Sequence, residues 1–217
     1  PALQLLDEGE SLLSGDNLLK GQLRIAASDT ICRYFLVPYL KQFHKKFPNI
    51  PIKVTNATSL GCVELLEQGK VDLIVTNFPN SHLNHTYIQK TVATFTDVFI
   101  ANPSYFNLRQ QTISFAELTQ YPILMLDKSS TTSEFLRNIF LQHQLELVPE
   151  VELSSNDLLI DLARIGLGIA CIPDYCLSPE MKDLFIVKTK EQIPGRQLAA
   201  AINPNLPPSA STEEFLK

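Results

Sequence analysis

Three clusters of hydroxyl side chains carry the strongest chemical signal in the sequence: Ser28-Asp29-Thr30, Thr58-Ser59 and Ser129-Ser130-Thr131-Thr132-Ser133. Each follows a strand-like run and precedes a helix-like one. At such a junction the first helical N–H groups have no intrahelical partner, and the positive end of the helix dipole faces outward. In open α/β sheets, ligands collect beyond the carboxyl ends of the strands. Three such junctions facing one cleft can hold a small anion without any Arg or Lys. Ordinary capping accounts for any single junction, because Ser, Thr, Asp and Asn start helices everywhere. The binding reading rests on the convergence of the three.

Other reactive residue types lack a setting. His82 and His85 stand three apart in a polar loop with no carboxylate or cysteine nearby, and two ligands do not make a metal site; no metal is expected. Cys32, Cys62, Cys171 and Cys176 are scattered without Cys-x-x-Cys spacing, the pattern of reduced cytosolic thiols rather than a disulfide framework. Cys32 differs only in lying one turn from a proposed ligand junction. The chain has no Gly-x-Ser-x-Gly elbow, no P-loop and no Gly-x-Gly-x-x-Gly after a strand. Gly166-Leu167-Gly168 precedes a strand rather than a helix and suits a tight helix-to-strand turn. The expectation is a binding module with no cofactor, not an enzyme.

Composition agrees with a folded protein. Of 217 residues, 45% are hydrophobic and 19% charged, which argues against disorder. The net charge of −5 gives no basic surface for nucleic acid, so DNA binding would need another segment. No secretory signal pattern opens the chain, and no apolar run reaches the ~20 residues that span a bilayer; a cytoplasmic location without membrane contact is expected. The first residue is Pro1 rather than methionine, so a preceding segment is expected.

The elements that position the hydroxyls alternate strand and helix. Residues 1–20 read as the tail of a helix and a turn. Leu23, Ile25 and Ala27 alternate as a strand. Ile31, Phe35, Leu36, Tyr39, Leu40, Phe43 and Phe47 form one helical stripe, with Pro38 making its first turns irregular and Pro48 ending it. A strand over 50–57 places Ile52 and Val54 on one face. A helix follows to Gly69, and 71–76 is a strand buried on both sides. Residues 91–101 read as one long strand able to carry the chain into a second lobe. There, Ser114 and Glu117 form a capping box, and 123–126, 151–153 and 167–172 are strands. Helices carry Phe135, Leu136, Ile139 and Phe140, then Leu158, Leu159, Leu162 and Ala163 inward. A last strand runs over 196–202, and a helix starts at Thr212.

These residues resemble the effector-binding domain of LysR-type transcriptional regulators. GQLRIAASDT (21–30) is similar to the family's first strand, which ends in an effector-binding serine or threonine. FLVPYLKQFHKKFPNIPIKV (35–54) resembles its Leu-Pro helix, Phe-x-x-x-(Tyr/Phe)-Pro end and second strand. NATSLGCVELLEQGKVDLIVT (56–76) matches the next stretch, with Asn56-Ala57 where the family often has Glu-Gly. SSNDLLIDLARIGLGIACIPDYC (154–176) resembles the second lobe's Gly-x-Gly-Ile-x-x-x-Pro signature.

The resemblance implies an α/β fold of two Rossmann-like lobes joined by two crossover strands, like the type 2 periplasmic binding proteins. It assigns residues 1–20 to the remnant of a linker helix, 21–94 plus 195–217 to lobe one and 95–194 to lobe two, with the effector between the lobes. Family contacts map to Ser28, Asp29 and Thr30, to Thr58, Ser59 or the adjoining Leu60, and to Ser130, Thr131 and Thr132. Many relatives carry an Arg near that last turn, where this chain has Thr132-Ser133. The resemblance also implies an upstream helix-turn-helix that binds DNA, and assembly as dimers or tetramers. The function expected is sensing of a small anionic metabolite, an organic acid or amino acid. The alternative is a transport-type solute-binding protein of the same fold, and a third reading is an enzyme on this scaffold, such as a dehydratase-like protein.

Overall fold

The computed structural model describes residues 21–84 and 86–217. The linker-helix reading of residues 1–20, and His85 of the histidine pair, lie outside the described residues. The chain forms two compact units. One takes the described residues up to Val92 together with Leu198–Lys217, and the other is Ala93–Gln197.

The first unit opens with β1 (Leu23–Ala27), buried except at Arg24. α1 (Asp29–Ile31) runs through a π-helical stretch, Cys32–Leu36, into α2 (Val37–Lys46). Pro38 gives the physical reason. It has no N–H for the carbonyl four residues back, and the chain widens so that the Val37 N–H bonds the Cys32 carbonyl five residues back. The single stripe expected over Ile31–Phe47 is thereby split: Ile31, Leu36 and Phe43 are buried, but Tyr39 is 48% exposed.

β2 (Ile52–Asn56) runs parallel to β1, pairing Leu23 with Ile52 through Ala27 with Asn56. It is an edge strand, and Val54 on it is exposed. α3 (Ser59–Glu67) closes with Gly69 at φ +63°, its N–H and that of Lys70 returning to the carbonyls of Leu66 and Leu65. β3 (Leu73–Phe78) is buried from Leu73 to Asn77.

The single strand expected over 91–101 is two strands, β4 (Ile88–Phe95) and β5 (Asp97–Ala101), broken at Thr96 and belonging to different sheets. The second unit continues with β6 (Thr112–Ile113), α4 (Phe115–Leu118), β7 (Ile123–Leu126), α5 (Thr131–Gln142), β8 (Val151–Leu153) and α6 (Asn156–Arg164). β9 (Ile169–Pro173), β10 (Phe185–Ile186) and β11 (Lys188–Thr189) follow. β12 (Arg196–Ile202) and α7 (Ala210–Phe215) complete the chain. α7 begins before Thr212 because Ser209 is its cap. On α6 the buried residues are Asn156, Leu159, Ile160 and Ala163, whereas Leu158, expected inward, is 46% exposed. Gly168 has the close-packing role expected of it: a Cβ there would lie 2.5 Å from the Pro122 carbonyl oxygen.

The first sheet is ordered β2-β1-β3-β12-β4 and the second β10-β5-β9-β7-β8. In the second, β7 is parallel to β8 and β9, while β5 is antiparallel to β9. Each sheet has its own core. Ala26, Cys62, Val63, Leu66 and Ile74 pack in the first unit, and Phe99, Phe115, Leu136, Phe140 and Ile169 in the second. Both sheets thus present carboxyl strand ends followed directly by helix starts.

Candidate functional site

In the first unit, parallel pairing of β1 and β2 sets two junctions side by side, with the Ala57 N–H on the Ala27 carbonyl at 3.3 Å. Ser28 and Thr58 are the caps. Ser28 Oγ accepts from the Ile31 N–H at 3.3 Å, and Thr58 Oγ1 accepts from the Gly61 N–H at 3.1 Å. Each cap takes up one of a helix's four unpaired N–H groups and leaves its own hydroxyl proton to donate. Asp29 and Thr58 are exposed, Thr30 and Ser59 buried, and Leu60 half-buried.

Asn56, where the family often has Glu, bridges the two junctions. Its amide donates to Asp29 Oδ1 and its Oδ1 accepts from the Cys32 thiol, each at 3.4 Å. A carboxylate there would stand against Asp29. Burial, and then the Asp29 charge, push the Cys32 thiol up to about 11. It is a protonated donor at neutral pH rather than a reactive thiolate. Asn80 fixes the Ser59 backbone: its amide donates to the Ser59 carbonyl and to Thr76 Oγ1, both at 3.0 Å. Asn77, at the carboxyl end of β3, is buried with an Oδ1 that has no hydrogen-bond partner among the described residues.

In the second unit the five-hydroxyl run between β7 and α5 divides its labour. Ser129 turns back, its backbone N–H and its hydroxyl both donating to Asp127 Oδ1. Ser133 donates to the Leu126 carbonyl. Ser130 is the cap, accepting from the Thr132 N–H at 3.2 Å. Thr131 and Thr132 are buried on the first turn of α5, and both accept from the guanidinium of Arg196, at 3.4 and 2.9 Å. The same guanidinium donates to Asp97 Oδ2 at 2.9 Å, and both ion-pair side chains are fully buried. Phe95 and Phe135 flank it, their ring centroids 5.2 and 4.7 Å from its central carbon. Burial pushes the Asp97 carboxyl up, and Arg196 opposes that shift.

The junctions were read as having no Arg or Lys beside them, and one of them has an arginine against it. The arginine lies at the start of β12, 64 residues from Thr132 in sequence. Arg196 and Asp97 are the residues beside this candidate site that sequence reasoning missed. The available signal was a charged residue at the start of each of two mainly apolar strands, since such charges are buried only when paired.

The arrangement has a definite electrostatic sense. The first turn of α5 carries the positive end of its dipole, and a guanidinium paired with Asp97 lies against it. The two threonine hydroxyls accept from Arg196, so their protons point elsewhere, and no acceptor for them is found among the described residues. Polarised by the guanidinium, they are strong donors to an anion. Among the described residues, no group of three or more His, Cys, Asp or Glu could hold a metal, and no helix is long and apolar enough to cross a membrane.

Comparison with known proteins gives the family. Residues 16–217 match the LysR substrate binding domain. The chain is 26% identical over 179 residues to the HTH-type transcriptional activator CmpR of Synechocystis sp. (strain ATCC 27184 / PCC 6803 / Kazusa), covering 81% of this chain and 57% of that protein. The regulatory domain of Synechocystis PCC6803 CcmR, solved in complex with 2-PG, matches with TM-score 0.81 at 23% identity, covering 91% of this chain and 94% of that one. The effector binding domain of QuiR, solved in complex with shikimate, matches with TM-score 0.78 at 12% identity, covering 90% and 93%. At these identities the structures establish the fold: the two-lobed, periplasmic-binding-protein-like α/β fold that the sequence implied. The chain spans 57 to 61% of the length of the curated relatives it matches first, and these are transcriptional regulators. With the match running from residue 16 to the last residue, the chain belongs to the LysR substrate binding domain family, the effector-binding domain of LysR-type regulators.

Proposed function

We propose that this domain senses a small anionic metabolite, an organic acid or amino acid, through the helix N-termini at Ser28–Thr30, Thr58–Leu60 and Ser130–Thr132. The regulatory lobes are assigned to 21–94 with 195–217 and to 95–194. The parent protein is a cytoplasmic transcriptional regulator that binds DNA through a helix-turn-helix preceding this chain and self-associates as a dimer or tetramer. Effector binding shifts that assembly by favouring one of its arrangements.

One observation carries the reading of the ligand. The Arg196 guanidinium lies against Thr131 and Thr132 at a helix N-terminus, and their hydroxyl protons have no acceptor among the described residues. A carboxylate placed on that turn meets two polarised hydroxyls and the helix dipole together.

A thermal-shift screen of organic acids and amino acids identifies the ligand, and calorimetry then measures it against Ser28→Ala and Thr131→Ala. Losing one hydroxyl donor to a charged ligand is expected to weaken affinity roughly tenfold or more in each variant. Unchanged affinity in both would show that the ligand is held elsewhere.

A further inference from the structure

The Asp97–Arg196 pair is built unlike a structural ion pair. Both side chains are fully buried, so water screens their charges little. Phe95 and Phe135 close over the guanidinium, their centroids 5.2 and 4.7 Å from its central carbon. Yet only half of the carboxylate is used. Asp97 Oδ2 accepts from Arg196 at 2.9 Å, while Asp97 Oδ1 and Arg196 Nε are buried without partners among the described residues. A buried pair stabilises a fold only when its remaining lone pairs and protons are also satisfied, and apolar residues of similar volume often serve the fold as well. Packing alone gives position 97 little reason to be an acid.

Its neighbours give a better one. The Arg196 Nη1 that donates to Asp97 Oδ2 also donates to Thr132 Oγ1, each at 2.9 Å, and Nη2 donates to Thr131 Oγ1 at 3.4 Å. An anion resting on the Thr131–Thr132 turn therefore feels two buried charges. The guanidinium draws it in, and the carboxylate repels it. Asp97 competes with the ligand for the same cation.

We propose that Asp97 sets the affinity of this turn: it is a built-in counter-ion that neutralises Arg196 while the turn is empty and limits how tightly the turn holds an anion. The inference rests on the anion-sensing reading of Ser130–Thr132 given above. Without Asp97 the guanidinium behind the two hydroxyls is uncompensated, and an incoming anion becomes its counter-ion. Asp97 acts through Arg196 rather than by touching the ligand, so it is a positioning residue. The arrangement gives up affinity for a stable empty state. A sensor needs that state, because it must release its ligand when the concentration falls and stay folded without it.

The test removes the charge and keeps the site. Asp97→Asn leaves an oxygen for Arg196, and Asp97→Ser is a second, smaller way to drop the charge. Sulfate is the probe, titrated into the 217-residue chain at constant ionic strength and read by NMR at the backbone amides of Thr131 and Thr132. Reading those two amides keeps sulfate bound near Ser28 or Thr58 out of the measurement. Asp97→Asn should bind sulfate roughly tenfold tighter than the parent, and sulfate should raise its Tm by more. Asp97→Glu, which keeps the charge, should give no such gain. Thr131→Ala, which loses a donor, should bind more weakly. A residue that only supports the fold would leave affinity unchanged or lower it when its charge is removed. Either result, with Thr131→Ala still weakened, overturns the inference and leaves the sensing reading standing. If sulfate moves neither amide, both fall together. Failure of Asp97→Asn and Asp97→Ser alike to fold would make Asp97 a structural charge and overturn the inference.

Discussion

Each unit sets an Arg–Asp pair against the hydroxyls of a helix N-terminus, yet the two pairs face opposite ways. In the first unit, Asp72 points at the helix. Its Oδ2 accepts from Ser209 and Thr212, the cap and first turn of α7, at 3.4 Å each, while Arg24 donates to both carboxylate oxygens from the other side. In the second unit the cation points at the helix: Arg196 donates to Thr131 and Thr132, and Asp97 stands behind it. An anion at a helix N-terminus complements the dipole, and a cation there opposes it. The first pair is a closed knot, with every charge answered. The second leaves Asp97 Oδ1 and Arg196 Nε without partners among the described residues. It also sets the guanidinium, paired with Asp97, at the positive end of the α5 dipole. The same residue types put the carboxylate at the helix start in one unit and the guanidinium there in the other.

The contrast predicts unequal costs when each pair is broken. Arg196→Met leaves the Asp97 carboxylate fully buried with no cation, and should destabilise the protein by about 3–5 kcal/mol. The double variant Arg196→Met with Asp97→Leu should recover most of that loss, because the site then holds no charge. Denaturant unfolding followed by circular dichroism measures both. If the single variant unfolds like the parent, Asp97 is not the buried charge described above. Full recovery of stability with lost effector affinity in the double variant would separate structural from recognition roles.

Asp72→Asn is the matched perturbation of the first unit and should cost less, about 1–3 kcal/mol. Arg24 keeps 21% of its side chain in water and has the Gly69 carbonyl as a second acceptor, so its charge can be rehydrated. Asparagine still offers one oxygen to Ser209 and Thr212. A cost exceeding that of Arg196→Met would reverse the comparison and make the first pair the more strained of the two.

Much of this was legible in the sequence, and the part that was not has a common cause. β7, β8 and β12 fall where alternation and apolar runs placed them, and Ser28, Thr58, Ser114 and Ser130 cap the helices their spacing announced. Those signals are local. Leu158 was misread because a hydrophobic residue in a periodic pattern is buried only if another layer lies on that face, and neighbours distant in sequence decide that. Arg196 and Asp97 are 99 residues apart. Each looks like an ordinary charged residue at a strand start until the fold brings the other beside it. The hydroxyl turn was visible as a capping motif, but the cation that gives it an electrostatic sense was not. Pro38 announced irregular turns without saying that they would widen into a π-helical stretch.

The third helix start with a carboxylate sharpens the comparison at the surface. Glu117 is exposed and reaches back to the cap of α4, where the Ser114 N–H and hydroxyl donate to its Oε2 at 2.7 and 2.8 Å. Lys190 adds to this at 3.2 Å. Those donors, the backbone N–H first, hold the carboxyl down from 4.5 to about 2. This is the Asp72 polarity, anion on N-terminus, without its burial. Because the folded value lies below the unfolded one, the contribution is fully present above pH 4.5 and is lost as pH falls through about 2. Glu117→Gln keeps an acceptor at the same place in the capping box but carries no charge to titrate. The Tm difference between parent and variant should therefore be constant near neutrality and shrink through that acid window. It should also diminish with added salt, since the group is exposed. A difference that instead grew on acidification would mean that the charge at this helix start opposes folding, against the polarity rule that distinguishes Asp72 from Arg196.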